Sequence, residues 1–206
     1  LSGEPTVLTS QDNLLIIGTT AGMVRYNGKN WQTFTTEGGL PSDSITCLRT
    51  FSSTTLIGTT AGMAKFNGLT IEPFDTSSAA PIGRVSAMSA GTGNELFAVV
   101  DADLYRFDGV KWSNTFPYTV LIDDTSAKIA AKYTIYGSPT DLRRFEEKYR
   151  AANVGMENLN NPGPGTVINV PYLGILNGEV SSVLGGIPGQ SVWIGTDQGV
   201  IMMTRD

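Results

Sequence analysis

The acidic residues that lie close together in the sequence are the first candidates for chemistry. They form three pairs: Asp101 with Asp103, Asp123 with Asp124, and Glu146 with Glu147. A glycosidase needs two carboxylates that face each other across a cleft, whereas adjacent residues of a helix point in different directions. Asp101 and Asp103 flank the start of a hairpin, and their Asp-x-Asp pattern lacks the glycine and distal glutamate of a calcium loop. The pairs therefore predict neither a catalytic site nor a metal site.

Histidine is absent from the chain, and Cys47 is its single cysteine. The lack of histidine excludes Ser-His-Asp and Cys-His catalysis and every histidine-ligated metal site. Cys47 stands between Ile45 and Leu48 in an apolar segment, which favours packing over a role as a nucleophile. We therefore expect a protein that is not an enzyme and that needs no cofactor.

The composition argues against two further classes of function. The 206 residues carry a net charge of −5 and contain no basic run, so non-specific nucleic-acid binding, which relies on lysine and arginine, is not expected. No apolar stretch approaches the ~18 residues of a membrane-spanning helix. The 24 glycines and 10 prolines indicate many turns between short strands.

A repeat of 40 residues organises most of the chain. The segment IGTTAGM occurs at Ile17–Met23 and again at Ile57–Met63, and a period of this length is typical of the blades of a β-propeller. Three units fill residues 1–117, and an incomplete fourth unit fills residues 172–206. We expect a mainly β fold, a small or partial β-propeller of about four units. Further chain or another subunit is expected to complete the last unit, because an unpaired strand edge is a liability.

Each unit contains the same strand signals. The second strand is an apolar run that ends in a small residue, as in Ile16-Ile17-Gly18, Leu56-Ile57-Gly58, Leu96-Phe97-Ala98 and Trp193-Ile194-Gly195. Its glycines lack a Cβ atom, which lets neighbouring blades approach closely. The third strand ends in Asn-Gly or Asp-Gly, the strongest short signal of a hairpin. Five aromatic side chains are expected to fill the space between blades: Trp31, Phe34, Phe74, Trp112 and Phe116.

The pattern ITCL…LIGTTAGMAKFNG, together with WIGTDQGV near the end of the chain, resembles the propeller repeats in sensor domains of two-component regulators. The resemblance covers the three full units and the partial fourth. It implies a propeller fold and says little about function, because one fold hosts many functions.

Residues 118–171 interrupt the repeat. A strand, two helices and a second strand are predicted in this order: Tyr118–Val120, Ser126–Tyr133, Pro139–Ala152 and Val167–Pro171. Asp124 or Thr125 caps the first helix, and Ser138 caps the second. The sequence thus predicts an inserted α+β module with the order βααβ.

This insert resembles a LysM module. The matching residues include Asp124-Thr125, Tyr136-Gly137, Asn161-Pro162 and Pro164-Gly165-Thr166, whereas Asp123 replaces the glycine that is usual in the family. The long second helix is more similar to the LysM-like modules of bacteriophage tail and baseplate proteins, which dock other proteins. The expected docking surface is the exposed face of that helix: Arg143, Arg144, Glu147 and Arg150.

The glycan-binding members of the LysM family suggest an alternative site. Their sugar lies in a groove between the loop after the first strand and the loop after the second helix. In this chain those loops hold Asp124, Thr125 and Ser126 on one side and Asn160, Asn161 and Pro162 on the other. The same residues also suit helix caps and turns.

Three functional hypotheses follow. The leading one is a structural and interaction protein, a phage tail or baseplate component that docks other protein subunits in the virion. The second is an extracellular or cell-envelope protein that binds peptidoglycan or chitin. The third is part of a propeller sensor ectodomain. None of the three involves nucleic acid or a membrane span within this chain.

Overall fold

The computed structural model describes residues 2–51, 53–74, 80–133, 139–172, 180–187 and 191–203. Within these ranges, 17 β-strands form five antiparallel sheets, joined by two α-helices and a short 3-10 helix over Thr36–Gly38. The predicted mainly β fold class is confirmed. Among the described residues, no helix is long and apolar enough to cross a membrane.

Four of the sheets repeat one design, and we call them blades one to four. Blade one contains β1 (Pro5–Gln11), β2 (Leu14–Thr19), β3 (Gly22–Tyr26) and β4 (Trp31–Phe34). Blade two contains β5 (Ile45–Phe51), β6 (Thr54–Thr59), β7 (Gly62–Phe66) and β8 (Ile71–Pro73). Blade three contains β9 (Val85–Ala90), β10 (Leu96–Val100), β11 (Asp103–Phe107) and β12 (Trp112–Ser113).

The insert separates blade three from blade four. Its two-stranded sheet pairs β13 (Thr115–Thr119) with β14 (Val167–Pro171), and the helices α1 (Ser126–Tyr133) and α2 (Pro139–Ala152) lie between these strands in the chain. Blade four then contains β15 (Val180–Ile187), β16 (Ser191–Thr196) and β17 (Gly199–Met203). The predicted helix stop at Tyr136-Gly137 and the cap at Ser138 lie outside the described residues.

The first strands of consecutive blades pack against one another, β1 against β5, β5 against β9, and β9 against β15. A Cβ atom on Gly18 would lie 2.5 Å from Cγ2 of Ile45, and one on Gly58 would lie 2.9 Å from Cγ1 of Val85. The predicted reason for these two glycines, close approach of neighbouring blades, is therefore confirmed. Gly195 differs, because its Cβ would meet Ser182 of its own blade.

Strand β6 of blade two buries both of its faces. Ile57 packs in the cluster shared with blade one, and the adjacent Leu56 packs in the cluster shared with blade three. This alternation follows from the two-residue period of a strand. The seams between blades are therefore the hydrophobic cores of the molecule.

The alignment predicted for the third unit is wrong by one residue. Phe97 pairs with Arg106 in the way that Leu56 pairs with Lys65, so Phe97 corresponds to Leu56, and Val99 corresponds to Gly58. The shift arises in the loop between β9 and β10. Five residues separate the paired Ala90 and Leu96, whereas four residues separate the corresponding pair in blade two, Thr50 and Thr55.

The aromatic side chains follow the prediction in part. Phe34, Phe74 and Trp112 are buried, as expected. Trp31 is 55% exposed and stacks on Tyr26, with ring centroids 4.3 Å apart. The prediction for Trp31 is wrong because the outermost strand β4 carries its ring, which covers a neighbour of the same blade.

The remaining aromatic residue, Phe116, belongs to a different sheet from the one predicted. It lies in β13, opposite Val170 of β14, and packs on the core that the insert shares with blades three and four. The fourth strand of blade three already ends at Ser113.

The insert shares one continuous core with two blades. Tyr149 and Ile168 of the insert pack in the same cluster as Phe97 of blade three and Ile194 of blade four. The division of the chain at residues 118 and 171 stays a prediction.

Candidate functional site

The end of helix α2 is fixed to strand β14 by a buried amide. The Nδ2 group of Asn153 donates to the carbonyl oxygens of Tyr149 and Asn169, each at 2.7 Å, and its Oδ1 accepts the backbone N–H of Asn169 at 2.8 Å. Asn153 is only 3% exposed. The sequence indicated a helix end here but not this bridge, which holds α2 against the sheet.

An ionic cluster joins α2 to blade three. Oδ1 of Asp103, at the start of β11, accepts a hydrogen bond from Nη2 of Arg144 at 3.2 Å and a second from Nζ of Lys148. Arg144 and Lys148 stand one helical turn apart, so they reach the same carboxylate. The prediction that Arg144 belongs to a free docking face is therefore wrong, because its guanidinium faces the propeller.

The other predicted docking residues lie on the exposed side of α2. Arg143 and Glu147 are exposed and form no ion pair with any residue that the structure describes. Arg150 donates to Glu146 at 2.7 Å and to Oδ1 of Asn160 at 2.8 Å. Glu146 and Arg150 lie four residues apart on the helix, as such pairs do. Whether this face binds a partner stays a prediction.

Asp124 holds the loop between β13 and α1. Its Oδ2 accepts the hydroxyl of Tyr118 at 2.7 Å and the backbone N–H of Leu121 at 2.8 Å. These two hydrogen bonds lower the pKa of the Asp124 carboxyl. Burial is the main cause that raises the pKa of Tyr118 to about 12, and the hydrogen bond to Asp124 is the second. The carboxylate thus serves the fold of its own loop.

Asp124→Asn is expected to lower the free energy of unfolding by about 0.5–1 kcal/mol at pH 7. Because the folded state lowers the pKa of Asp124, its contribution is present above the unfolded pKa near 4 and is lost as the pH falls through the folded pKa. Urea unfolding of both proteins at pH 7 and pH 3 measures this. A difference that stays constant over that range would contradict the assignment.

The two predicted walls of the sugar groove meet in the structure. The backbone N–H of Ser126 donates to the carbonyl oxygen of Asn160 at 3.2 Å. Oγ1 of Thr125 caps α1 by accepting the N–H of Lys128 at 3.2 Å. Asn161 closes a turn through its backbone, and Pro162 is buried. The loops are adjacent, although many of their hydrogen-bonding groups already bind partners within the insert.

The remaining acidic candidates, Asp101 and Asp123, lie in turns. Asp101 has a φ of 48° in the hairpin between β10 and β11, and its Oδ1 accepts the N–H of Arg84 at 2.9 Å. The backbone carbonyl oxygen of Asp123 accepts a hydrogen bond from Nζ of Lys128. Within the described ranges, no group of three or more Cys, Asp or Glu side chains could hold a metal ion.

Cys47 lies at the seam between blades two and three, where burial raises the pKa of its thiol to about 11. At pH 8 only about a thousandth of such a thiol is the reactive thiolate. We expect Cys47 to react with iodoacetamide far more slowly in the folded protein than in urea. Mass spectrometry after timed alkylation measures both rates, and equal rates would contradict the burial of this seam.

No protein-family model matches the sequence, and no curated protein is detectably similar to it. Solved structures do resemble the chain. The extracellular domain of a protein described as a hybrid two-component system from B. thetaiotaomicron is 16% identical, with a TM-score of 0.53 over 98% of this chain. The computationally designed Ika4 and Ika8 proteins are 10% and 12% identical, with TM-scores of 0.54 and 0.50.

The fold is a β-propeller. The similarity covers 100% of this chain and 94% of Ika4, and 99% of this chain and 48% of Ika8. This chain spans about a fifth of the two-component domain, with 21% of that structure covered. At these identities the likeness concerns the fold alone.

Proposed function

We propose that this chain is a non-catalytic recognition domain in the extracellular part of a sensor protein. Its propeller would be the scaffold, and its βααβ insert would be the recognition module. The fold that it shares with the extracellular domain from B. thetaiotaomicron supports this proposal.

An exposed apolar row on blade four is the observation that carries the proposal. Leu184 pairs with Trp193, and Trp193 pairs with Met202, so the three side chains lie abreast on one face. They are 47%, 36% and 50% exposed. The equivalent second-strand residues of the other blades are buried against the blade that follows: Ile16, Leu56 and Phe97. A further blade would cover this row, as in a propeller of more than four units.

The insert suits a recognition role because its position on the propeller is fixed. The bonds from Arg144 and Lys148 to Asp103, and the core shared with blades three and four, hold α2 in one orientation. The solvent-exposed side of α2 presents Arg143 and Glu147. We assign this side to a protein partner, in agreement with the LysM-like element order.

The complete reading frame that encodes this chain tests the proposal. We expect the same product to contain further 40-residue repeats and a membrane-spanning segment. A product without further repeats that is recovered in purified virions would contradict the proposal and favour a tail or baseplate subunit. The similar structures described above give no support to that virion role.

Glycan binding is the second candidate, favoured by the contact between Ser126 and Asn160 that brings the two loops together. Pelleting of the whole chain with peptidoglycan and, separately, with chitin tests it, because the insert shares its core with the blades. Saturable pelleting that Asn161→Ala abolishes would support a sugar site. Asn30→Ala, at an exposed turn of blade one, is the matched control. No pelleting of the folded chain would remove this candidate.

A further inference from the structure

A cleft of about 380 Å³ opens at the seam between blades two and three. Its apolar lining is mainly aromatic and comes from both blades: Phe51, Leu56, Phe74, Leu96 and Phe107. Lys65 and Asn94 add polar groups to the same walls. The volume and the mixture of apolar walls with few polar groups fit a small-molecule site.

Comparison of two seams within the chain shows why this one is open. Lys65 in β7 corresponds to Arg25 in β3, and Gly109 corresponds to Gly68. Between blades one and two, Nη1 of Arg25 donates to the carbonyl oxygen of Gly68 at 2.6 Å and so bridges the seam. The ammonium of Lys65 instead lies 5.0 Å from the centre of the Phe74 ring. Among the residues that the structure describes, Lys65 makes no hydrogen bond to Gly109, so the second seam lacks the bridge that Arg25 provides in the first.

Lys65 is a half-buried cation without an anion among the residues that the structure describes. Glu72 stands opposite it across β7 and β8, but the Glu72 carboxylate accepts the Asn67 amide at 2.8 Å and forms no ion pair with Lys65. The corresponding cation of blade three, Arg106, pairs with Glu95. A charge-assisted hydrogen bond to a carboxylate stabilises a half-buried cation. A carboxylate that enters the cleft could therefore stabilise Lys65 as Glu95 stabilises Arg106.

We propose that this cleft binds a small aromatic carboxylate. Lys65 would hold the carboxylate, the amide of Asn94 offers further donors, and the rings of Phe74 and Phe107 would pack on the aromatic part of the ligand. The neighbouring rings already favour such packing, since Phe74 and Phe107 meet edge to face with centroids 5.7 Å apart. None of the lining residues belongs to the insert, so this site is independent of the proposed recognition surface.

Titration of the whole chain with 4-fluorophenylacetate, followed by ¹⁹F NMR, tests the proposal. We expect saturable binding with a Kd of roughly 1 mM or below. Lys65→Met, which keeps the length of the side chain and removes its charge, should weaken binding about tenfold or more. Lys29→Met, at an exposed turn of blade one, should leave binding unchanged. The matching cation 4-fluorophenethylamine should not bind.

A second variant separates charge from shape. Lys65→Arg keeps the charge but should reach the carbonyl oxygen of Gly109 as Arg25 reaches that of Gly68, narrowing the cleft and weakening binding. Circular dichroism confirms that each variant is folded, and Lys65→Gln replaces Lys65→Met if the latter is not. The proposal is overturned if folded wild-type protein shows no saturable binding up to about 10 mM, or if loss of the Lys65 charge leaves the Kd unchanged.

Discussion

Gly58→Ala is expected to lower the free energy of unfolding by about 2–3 kcal/mol and the Tm by roughly 5–10 °C. The new Cβ would overlap Sγ of Cys47 and lie 2.9 Å from Cγ1 of Val85. These neighbours belong to β5 and β9, the first strands of blades two and three, so the seam must open to accept the methyl group. Thermal unfolding followed by circular dichroism measures the change.

Gly38→Ala is the matched control for this substitution. Gly38 ends the 3-10 helix, and a Cβ atom there would meet nothing within 4 Å. We expect a change within about 0.5 kcal/mol. If Gly58→Ala were as mild as Gly38→Ala, the blades would not be in the close contact described here.

Asp103→Ala is expected to destabilise the protein by about 2 kcal/mol. The substitution leaves the cations of Arg144 and Lys148 next to each other without their shared carboxylate. Their side chains are 36% and 24% exposed, so water offsets part of the loss. Urea unfolding measures the total. Hydrogen exchange should show faster opening of α2, while blade one keeps its protection.

Glu146→Gln provides the comparison for an exposed pair. Glu146 and Arg150 have side chains 54% and 49% exposed, and such a pair contributes about 0.3–0.5 kcal/mol. Equal effects of Asp103→Ala and Glu146→Gln would show that the bonds to blade three do not fix the insert.

The repeating parts of the fold were predictable because their signals are local. The 40-residue period identified the blades, and α1 and β14 have the bounds that caps and apolar patterns predict. The one-residue shift of the alignment in blade three is also visible in the sequence, since Asp108-Gly109 follows Asn67-Gly68 by 41 residues instead of 40. A longer loop upstream changes the alignment without changing the strand pattern itself.

The contacts between distant segments were not predictable from one sequence. Asp103 precedes Arg144 by 41 residues and Lys148 by 45, and no local pattern couples a strand residue to a helix at that distance. The sequence could not tell which charged residues of α2 face the propeller. Lys65 lies over the Phe74 ring instead of bridging its seam as Arg25 does. This difference is likewise visible only when neighbouring blades are placed side by side.

Labelling of intact source cells tests the central claim, that this propeller is an extracellular recognition domain. A membrane-impermeant amine reagent should modify Lys29 and Lys111, both exposed on turns of the blades, before the cells are lysed. Mass spectrometry identifies the modified peptides. Labelling of both lysines on intact cells is the predicted result. Labelling that occurs only after lysis, or only in purified virions, would contradict the claim.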